Sequence, residues 1–221
     1  MKIDRAGVPF VGAAALPALV LAGLQMYLWA LPFVVLTMAL VFFFRDPDRV
    51  APPDPRAVVS PADGRVMVAG PPPPNAAPAG DWTQVSIFLS PLDVHVNRMP
   101  VSGTITRVEY TPGRCLAAYR PEATTANERN EVWIEAGART VVCRQITGVL
   151  VRRVVCRVHT GDQVRAGDRF GVMKFGSRID LFLPTDARVL VGVGDRVRAG
   201  ETVLAEVSGS NAEHPAPTSG G

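Results

Sequence analysis

The N-terminal segment contains the feature that most limits how this chain can fold. No charged side chain occurs in residues 6–44, a run of 39 residues dominated by apolar side chains. A helix that spans a bilayer needs roughly 20 apolar residues, so the run is too long for one such helix and just sufficient for two short ones. We therefore predict an apolar helical hairpin over residues 1–45, with its turn near residues 25–29.

The charges that flank this run predict how it is oriented. Lys2 and Arg5 precede it, and Arg45 and Arg49 follow it. Positive residues at both ends favour a hairpin with both ends on the cytoplasmic side of the cell membrane. The run is also far longer than the roughly 7–15 apolar residues of a cleaved signal peptide. We expect membrane attachment, and the sequence leaves open whether the hairpin spans the bilayer or lies in its interface.

Composition excludes several classes of protein. A length of 221 residues predicts one main domain with an appendage, and a net charge of +3 argues against a nucleic-acid-binding protein. The three cysteines, Cys115, Cys143 and Cys156, match neither a zinc pattern nor a paired disulfide framework. We expect them to be reduced and buried, and we expect no metal site.

The remainder of the chain divides by composition. Residues 46–55 form a polar, proline-rich linker, residues 56–207 form the folded domain, and residues 208–221 form a tail that has little to bury. Short runs of β-branched residues predict a mainly β domain. The predicted strands cover residues 82–89, 103–110, 131–135, 140–146 and 148–158, and one short helix is predicted around residues 115–119.

A further strand is predicted from residue 177 onward by strict alternation. Ile179, Leu181 and Leu183 would lie on one face, and Asp180 and Phe182 on the other.

An internal repeat also points to a β fold. The sequence Gly-Asp-Gln-Val-Arg-Ala-Gly-Asp at 161–168 matches Gly-Asp-Arg-Val-Arg-Ala-Gly-Glu at 194–201. Each copy reads as a tight turn, a buried valine and a second glycine turn. Such repeats resemble those of lipoyl and biotinyl domains, and they predict a barrel-sandwich-like domain.

This likeness raises an alternative function. Lys174 lies between the two copies, about where a biotin carrier presents its modified lysine, so the chain could be a membrane-tethered carrier without chemistry of its own. Phe175 follows where biotin sites typically have a second methionine, and the domain is much longer than such carriers. A carrier would also leave the following motifs unexplained.

Four short motifs follow one another along the chain. They are Ser-Pro-Ala-Asp-Gly at 60–64, Ser-Pro-Leu-Asp-Val-His-Val-Asn-Arg-Met-Pro at 90–100, Asn-Glu-Arg-Asn at 127–130, and Phe-Gly-Ser at 175–177. Each alone is weak evidence. Together, behind an apolar hairpin, they resemble the short bacterial and archaeal form of the phosphatidylserine decarboxylases over about residues 8–206.

The resemblance implies a self-made pyruvoyl cofactor. Ser177 would attack the carbonyl of Gly176, and the chain would part into a β chain of residues 1–176 and an α chain of residues 177–221 that stay associated. Ser177 would become the pyruvoyl group and form a Schiff base with the amine of phosphatidylserine at the membrane lipid surface. Decarboxylation would then yield phosphatidylethanolamine and CO₂ without PLP or metal.

The resemblance also assigns roles to individual residues. Asp63 matches the residue that supports self-cleavage, and His95 matches a histidine of the decarboxylation site. Long-form relatives carry a second histidine three residues later as part of a processing triad, but here that position is Arg98, which cannot act as a base at neutral pH. Either His95 serves both steps, or Asp63 acts with another group. Arg98 and Arg129 could bind the lipid phosphate or substrate carboxylate, or form ordinary ion pairs.

Two further points remain open at this stage. An archaetidylserine decarboxylase would differ only in the lipid tails and glycerol stereochemistry of its substrate. The oligomeric state, a homodimer included, cannot be read from the sequence.

Overall fold

Two apolar helices lead the chain in the computed structural model, which describes residues 2–120, 122–149, 154–173 and 177–207. Helix α1 (Val8–Gly23) and helix α2 (Tyr27–Phe43) pack against each other. The turn between them includes Gln25, whose φ of 61° lies in the left-handed region. Many of their apolar side chains are exposed, Leu28 at 79% and Leu19 at 70% among them. Within the described residues, no helix is both long and apolar enough to cross a membrane.

The rest of the described chain is mainly β. Its strands are β1 (Lys2–Ile3), β2 (Arg45–Asp46), β3 (Ala57–Val59), β4 (Gly64–Gly70), β5 (Thr83–Leu89), β6 (Val96–Arg98), β7 (Gly103–Thr111), β8 (Arg129–Ala136), β9 (Arg139–Ile146), β10 (Val155–Cys156), β11 (Gln163–Val164), β12 (Arg169–Val172), β13 (Ser177–Leu183), β14 (Arg188–Val189), β15 (Arg196–Val197) and β16 (Val203–Glu206). One short helix, α3 (Ala123–Ala126), lies between β7 and β8.

One large antiparallel sheet organises the domain. Its order is β11-β7-β8-β9-β13-β5-β4-β15, and two three-stranded sheets, β10-β12-β6 and β14-β16-β3, accompany it. Strand β13 lies at the centre, paired with β9 on one side and β5 on the other. Its inward residues Ile179, Leu181 and Leu183 belong to the main hydrophobic core, as the alternation predicted. All seven residues of β13 are buried, so both faces of this central strand are covered.

The sequence repeat is also repeated in space. Val164 in β11 pairs with Gly103 at one edge of the large sheet, and Val197 in β15 pairs with Gly64 at the other edge. A Cβ atom at Gly103 or Gly64 would lie 2.2 or 2.1 Å from a carbonyl oxygen of the neighbouring strand, so glycine permits this close approach. The likeness to lipoyl and biotinyl domains stays a prediction.

Several local predictions differ from the structure. In the described part of 148–158, only Val155–Cys156 is a strand, because β-branched composition alone does not supply a pairing partner. Residues 115–119 are not helical, and the short helix lies at Ala123–Ala126. All three cysteines are free, but only Cys143 is fully buried.

Charged pairs fasten the base of the helices to the β domain. Strand β1 pairs with β2, which brings both ends of the helical segment together. The Asp4 carboxylate accepts two hydrogen bonds from Arg157, of 2.6 and 2.8 Å, and Asp46 lies 2.7 Å from Arg169. The Arg157 guanidinium holds the pKa of Asp4 below its usual value, although burial opposes this shift. The helices therefore start and end beside β6 and β12, where the candidate site lies.

Candidate active site

Ser177 occupies the first position of the central strand β13. It lies opposite Leu89 of β5, and its side chain points to the same face as Ile179. The residue is 1% exposed, and its Oγ has no hydrogen-bond partner among the described residues. A buried hydroxyl without a partner is costly, so this atom is a candidate for chemistry rather than for structure. Gly176 and Lys174 lie outside the described residues.

The polar residues on the outer face of β13 are paired. Arg178 Nε lies 2.5 Å from Asp180 Oδ1, and Arg178 Nη2 donates to Ser86 Oγ at 3.1 Å. The side chains of Arg178 and Asp180 are only 4% and 0% exposed. The polar residues on the outer face therefore belong to a buried ion pair, and do not mark a solvent-facing side of the sheet.

His95 is the second buried group without a full set of partners. Its Nδ1 lies 2.9 Å from the carbonyl oxygen of Asp93 and must carry the proton, because a carbonyl can only accept. Its Nε2 is buried and has no partner among the described residues. Burial lowers the pKa of His95 from 6.5 to about 4. At neutral pH the imidazole is therefore uncharged, and its Nε2 can accept a proton.

His95 directly precedes β6, and this stretch runs beside the segment that leads toward Ser177. Val96 in β6 pairs with Val172 in β12, and the backbone N–H of Met173 donates to the carbonyl of His95 at 3.1 Å. Met173 is the last described residue before Ser177. The structure therefore brings His95 to the stretch of chain that ends at the predicted cleavage point.

Asp63 is held by strong contacts of its own. Its two carboxylate oxygens accept hydrogen bonds from Arg49 at 2.6 and 2.8 Å, and the N–H of Ala199 donates to Oδ1 at 2.8 Å. This arrangement ties the linker to the second repeat copy. Both oxygens are engaged, and the negative charge acts on His95, whose pKa it raises as one of the smaller contributions.

Arg98 also makes contacts that fasten one segment to another. Its guanidinium donates to the carbonyls of Gly167 at 2.9 Å and Pro47 at 2.7 Å, and lies 3.4 Å from Asp46. The residue is 4% exposed. These contacts favour a structural function, in which Arg98 joins the linker to the first repeat copy.

Arg129 and its motif are engaged locally. Arg129 Nη1 donates to the carbonyl of Thr125 at 2.9 Å, and its Nε lies 3.6 Å from Glu131. In the same motif, the Asn127 side chain bonds the backbone of Leu116 and Thr147, and so holds the loop before α3 against the end of β9.

A cleft of about 550 Å³ lies away from Ser177 and His95. It is lined by Arg49, Arg98 and Arg169, among other residues. The guanidinium groups of these three described arginines are already held by Asp63, by backbone carbonyls and by Asp46, so they are not free to bind an anionic ligand. Among the described residues, no group of three or more His, Cys, Asp or Glu side chains could hold a metal ion.

Sequence reasoning missed the aromatic partner of His95. The Phe43 ring, at the last position of α2, lies 4.1 Å from the imidazole between ring centroids, at an interplanar angle of 33°. Nothing in the local sequence marks Phe43 among the many apolar residues of the run. The sequence analysis also gave no function to Asn97, which occupies the next polar position after His95 in the alternating run Val94-His95-Val96-Asn97.

The fold and the site define a β-rich protein in which the two candidate reactive groups, Ser177 and His95, are buried. Comparison with known proteins makes this class specific. The family model described as phosphatidylserine decarboxylase matches residues 36–205. The chain belongs to the phosphatidylserine decarboxylase family, and it is therefore an enzyme of the carboxy-lyase class.

Curated relatives support this membership over most of the chain. Proteins named phosphatidylserine decarboxylase proenzyme are similar to it in three organisms. The protein of Nitrosomonas europaea is 44% identical over 209 residues, which cover 92% of this chain and 94% of the relative. The protein of Pelodictyon phaeoclathratiforme is 46% identical, covering 83% and 89%, and that of Desulfotalea psychrophila is 38% identical, covering 94% and 97%.

Proposed function

We propose that this protein cuts itself between Gly176 and Ser177 and then decarboxylates phosphatidylserine to phosphatidylethanolamine at a membrane surface. The observation that carries the proposal is that Ser177 Oγ and His95 Nε2 are both buried and have no hydrogen-bond partner among the residues that the structure describes. One can lose a proton and the other can take it. The name proenzyme, which the relatives carry, agrees with a maturation step.

The self-cleavage uses groups of this chain alone. As Ser177 Oγ adds to the carbonyl carbon of Gly176, its proton passes to a base, for which His95 Nε2 is the candidate. The C–N bond then breaks and the nitrogen of Ser177 takes a proton, so the amide becomes an ester. Removal of the Cα proton of residue 177 expels the Gly176 carboxylate. The dehydroalanine that remains takes up water and loses ammonia, which leaves a pyruvoyl group at the head of the α chain.

The interior position of Ser177 suits such a group. The pyruvoyl carbonyl, once formed, supplies an electron sink for the bond that releases CO₂. Strand β13 is paired with β9 and β5, and residue 177 at its start lies opposite Leu89 of β5, beside a core that excludes bulk water. His95, uncharged at neutral pH, would take and return a proton near the substrate carboxylate.

The other predicted site residues contribute by position. Asp63 supports self-cleavage by fixing the linker through Arg49, and Arg98 fixes the same linker through the carbonyl of Pro47. Arg129 already contacts the carbonyl of Thr125 and the carboxylate of Glu131, so we give it only a secondary part in substrate binding.

The two N-terminal helices would bring this site to its lipid. They expose apolar side chains on several sides, including Leu16 at 65%, Leu19 at 70%, Leu28 at 79% and Trp29 at 66%. A patch of this kind on a soluble surface marks contact with a membrane or a partner. Because α2 ends on His95 through Phe43, helices that lie in the lipid surface would hold the site at the depth of the head groups. We place the β domain on the cytoplasmic face of the cell membrane.

Intact mass and denaturing electrophoresis of the purified protein test the self-cleavage. We expect two chains that part between Gly176 and Ser177, with the smaller one blocked to Edman chemistry. Ser177→Ala should leave one chain and no CO₂ release, and His95→Ala should abolish turnover. A single uncut wild-type chain that carries added mass on Lys174 would support the carrier alternative instead, which the comparisons do not favour.

Two further measurements test the substrate and the membrane. Release of CO₂ from phosphatidylserine and from archaetidylserine, in matched vesicles, separates the two lipid classes. For the membrane, Leu19→Glu and Leu28→Glu should reduce vesicle flotation, whereas Val193→Glu, on an exposed turn of the second repeat copy, should not. Equal flotation of all three variants would reject the hairpin as the membrane contact.

A further inference from the structure

A chain of three buried amides crosses the interior next to Ser177. Asn130 Nδ2 donates to Gln145 Oε1 at 3.3 Å, and Gln145 Nε2 donates to Asn97 Oδ1 at 2.8 Å. Asn97 and Gln145 are 0% exposed, and Asn130 is 4% exposed. In both hydrogen bonds an amide NH2 group donates to the oxygen of the next amide, so the row of amides runs in one direction from Asn130 to Asn97. It ends on the Asn97 Nδ2 group, which is buried and has no partner among the described residues.

The register of the strands brings this end to the face that carries Ser177. Gln145 in β9 lies directly opposite Ile179 in β13, so both point to the core. Ser177 lies two residues before Ile179 and points the same way, which makes it a diagonal neighbour of Gln145 on one face of the sheet. Asn97 bonds to Gln145 from β6, and it lies two residues after His95, which directly precedes that strand.

Gly171 opens the path for this amide chain. Gly171 in β12 pairs with Asn97, and a Cβ atom at that position would lie 2.7 Å from Gln145 Nε2 and 2.4 Å from the carbonyl oxygen of Val155. Any larger residue would push the Gln145 amide away from Asn97. The fold therefore leaves room at Gly171 for a contact that keeps the Asn97 donor unpaired, at a cost in stability. A donor kept unpaired at such a cost is a candidate for a functional hydrogen bond.

We propose that Asn97 is a catalytic hydrogen-bond donor of the self-cleavage, whose Nδ2 stabilises the negative oxygen formed when Ser177 Oγ adds to the preceding carbonyl, and that Gln145 and Asn130 position it. This inference rests on the proposed self-cleavage. In the uncut chain the oxygen is a neutral carbonyl; it becomes negative as the new C–O bond forms, and it returns to a carbonyl when the C–N bond breaks. A buried donor that is already held in place by Gln145 would require no rearrangement at the moment of reaction.

The test is the rate at which newly made chains part, followed by pulse-chase in cell-free translation with vesicles. Asn97→Asp keeps the oxygen that accepts from Gln145 and replaces the free donor by an acceptor. We expect cutting to slow by about 10²- to 10³-fold, the range seen when one oxyanion donor is lost. The matched control is Gln84→Glu, which also puts a carboxylate in place of a 0% exposed amide but faces the outer side of the sheet. It should cut at the wild-type rate.

A second variant keeps Asn97 unchanged. Gln145→Glu turns the middle of the chain into an acceptor, so Asn97 must rotate its Nδ2 inward and present its oxygen to Ser177. Chain separation should slow in this variant as well. If Asn97→Asp shows no cooperative unfolding and is therefore not properly folded, Gln145→Glu is the variant that tests the function given to Asn97. Hydroxylamine, which cleaves esters, should not accelerate chain separation in either variant, because the block precedes ester formation.

The outcomes are distinguishable. If wild-type chains never part, the proposed self-cleavage fails. If wild-type chains part and Asn97→Asp and Gln145→Glu part equally fast, only the function given to Asn97 is overturned. Accumulation of an ester that hydroxylamine cuts would also overturn it, since the donor would then act after the addition step.

Discussion

Phe43, the last residue of the N-terminal helices, lies against the imidazole of His95 with 4.1 Å between the ring centroids. Phe43 is 6% exposed and His95 is 1% exposed, so the contact closes the imidazole off from water. This burial is the largest cause of the low pKa of His95, and the positive charge of Arg45, two residues after Phe43, lowers it further. The helical segment therefore sets the protonation state of the candidate base.

Phe43→Ala should change the pH dependence of self-cleavage. Water admitted beside His95 would raise its pKa from about 4 toward the ordinary 6.5. Since the base works only when it is uncharged, the wild-type rate should stay level from pH 8 down to about pH 5, whereas the variant should lose rate below about pH 6. Pulse-chase measurements of chain separation between pH 4.5 and 8 give both profiles.

Phe33→Ala serves as the matched control for this measurement. Phe33 lies on the same helix and is 36% exposed. Phe33→Ala removes a phenyl ring, as Phe43→Ala does, but it does not expose His95 to water. The pH profile of Phe33→Ala should therefore follow that of the wild type. Identical profiles for all three proteins would mean that Phe43 does not determine the protonation of His95.

The stability of the fold should also depend on His95 in acid. The folded pKa is depressed, so as pH falls below 6.5 the unfolded chain binds a proton before the folded one does. Folding stability is then lost between about pH 6.5 and pH 4, by about 3 kcal/mol, and changes no further below pH 4. We would measure urea unfolding of the uncut Ser177→Ala chain with and without His95→Gln, and the difference between the two curves isolates this histidine. A difference that does not vary with pH contradicts the buried, uncharged state.

The buried polar contacts mark the limit of what the sequence could predict. Alternation in residues 177–183 was sufficient for a strand with Ile179 facing the core, because the period-2 pattern is local. The contact between Phe43 and His95 joins residues from different elements and leaves no local signal. The same limit applies to Arg98, whose type excludes a base but whose carbonyl partners, Gly167 and Pro47, depend on how the linker docks.

Asp63 should affect self-cleavage through the linker. Its pair with Arg49 is nearly buried, with side chains 14% and 8% exposed, and removal of one partner should cost about 3 kcal/mol of stability. Arg49→Leu and Asp63→Asn should therefore slow chain separation by similar factors. The exposed pair of Arg56 with Asp54 supplies the control, since Arg56→Leu should change neither stability nor rate appreciably. A block in Asp63→Asn alone would instead identify Asp63 as a direct proton carrier.

The ion pair beneath Ser177 should be costly to break and cheap to replace. Arg178 and Asp180 are paired at 2.5 Å with almost no exposure, and Asp180→Leu would leave a buried guanidinium whose remaining partner among the described residues is Ser86. We expect a loss of about 3–5 kcal/mol for that single change and recovery of most of it when Arg178→Met is added, because two well-packed apolar side chains carry no desolvation cost. Urea unfolding in the Ser177→Ala background measures both.

Glu109→Leu, which breaks the exposed pair with Arg107, should cost less than about 1 kcal/mol. If the double variant were no more stable than Asp180→Leu, the pair would be contributing something beyond mutual neutralisation at the head of the central strand.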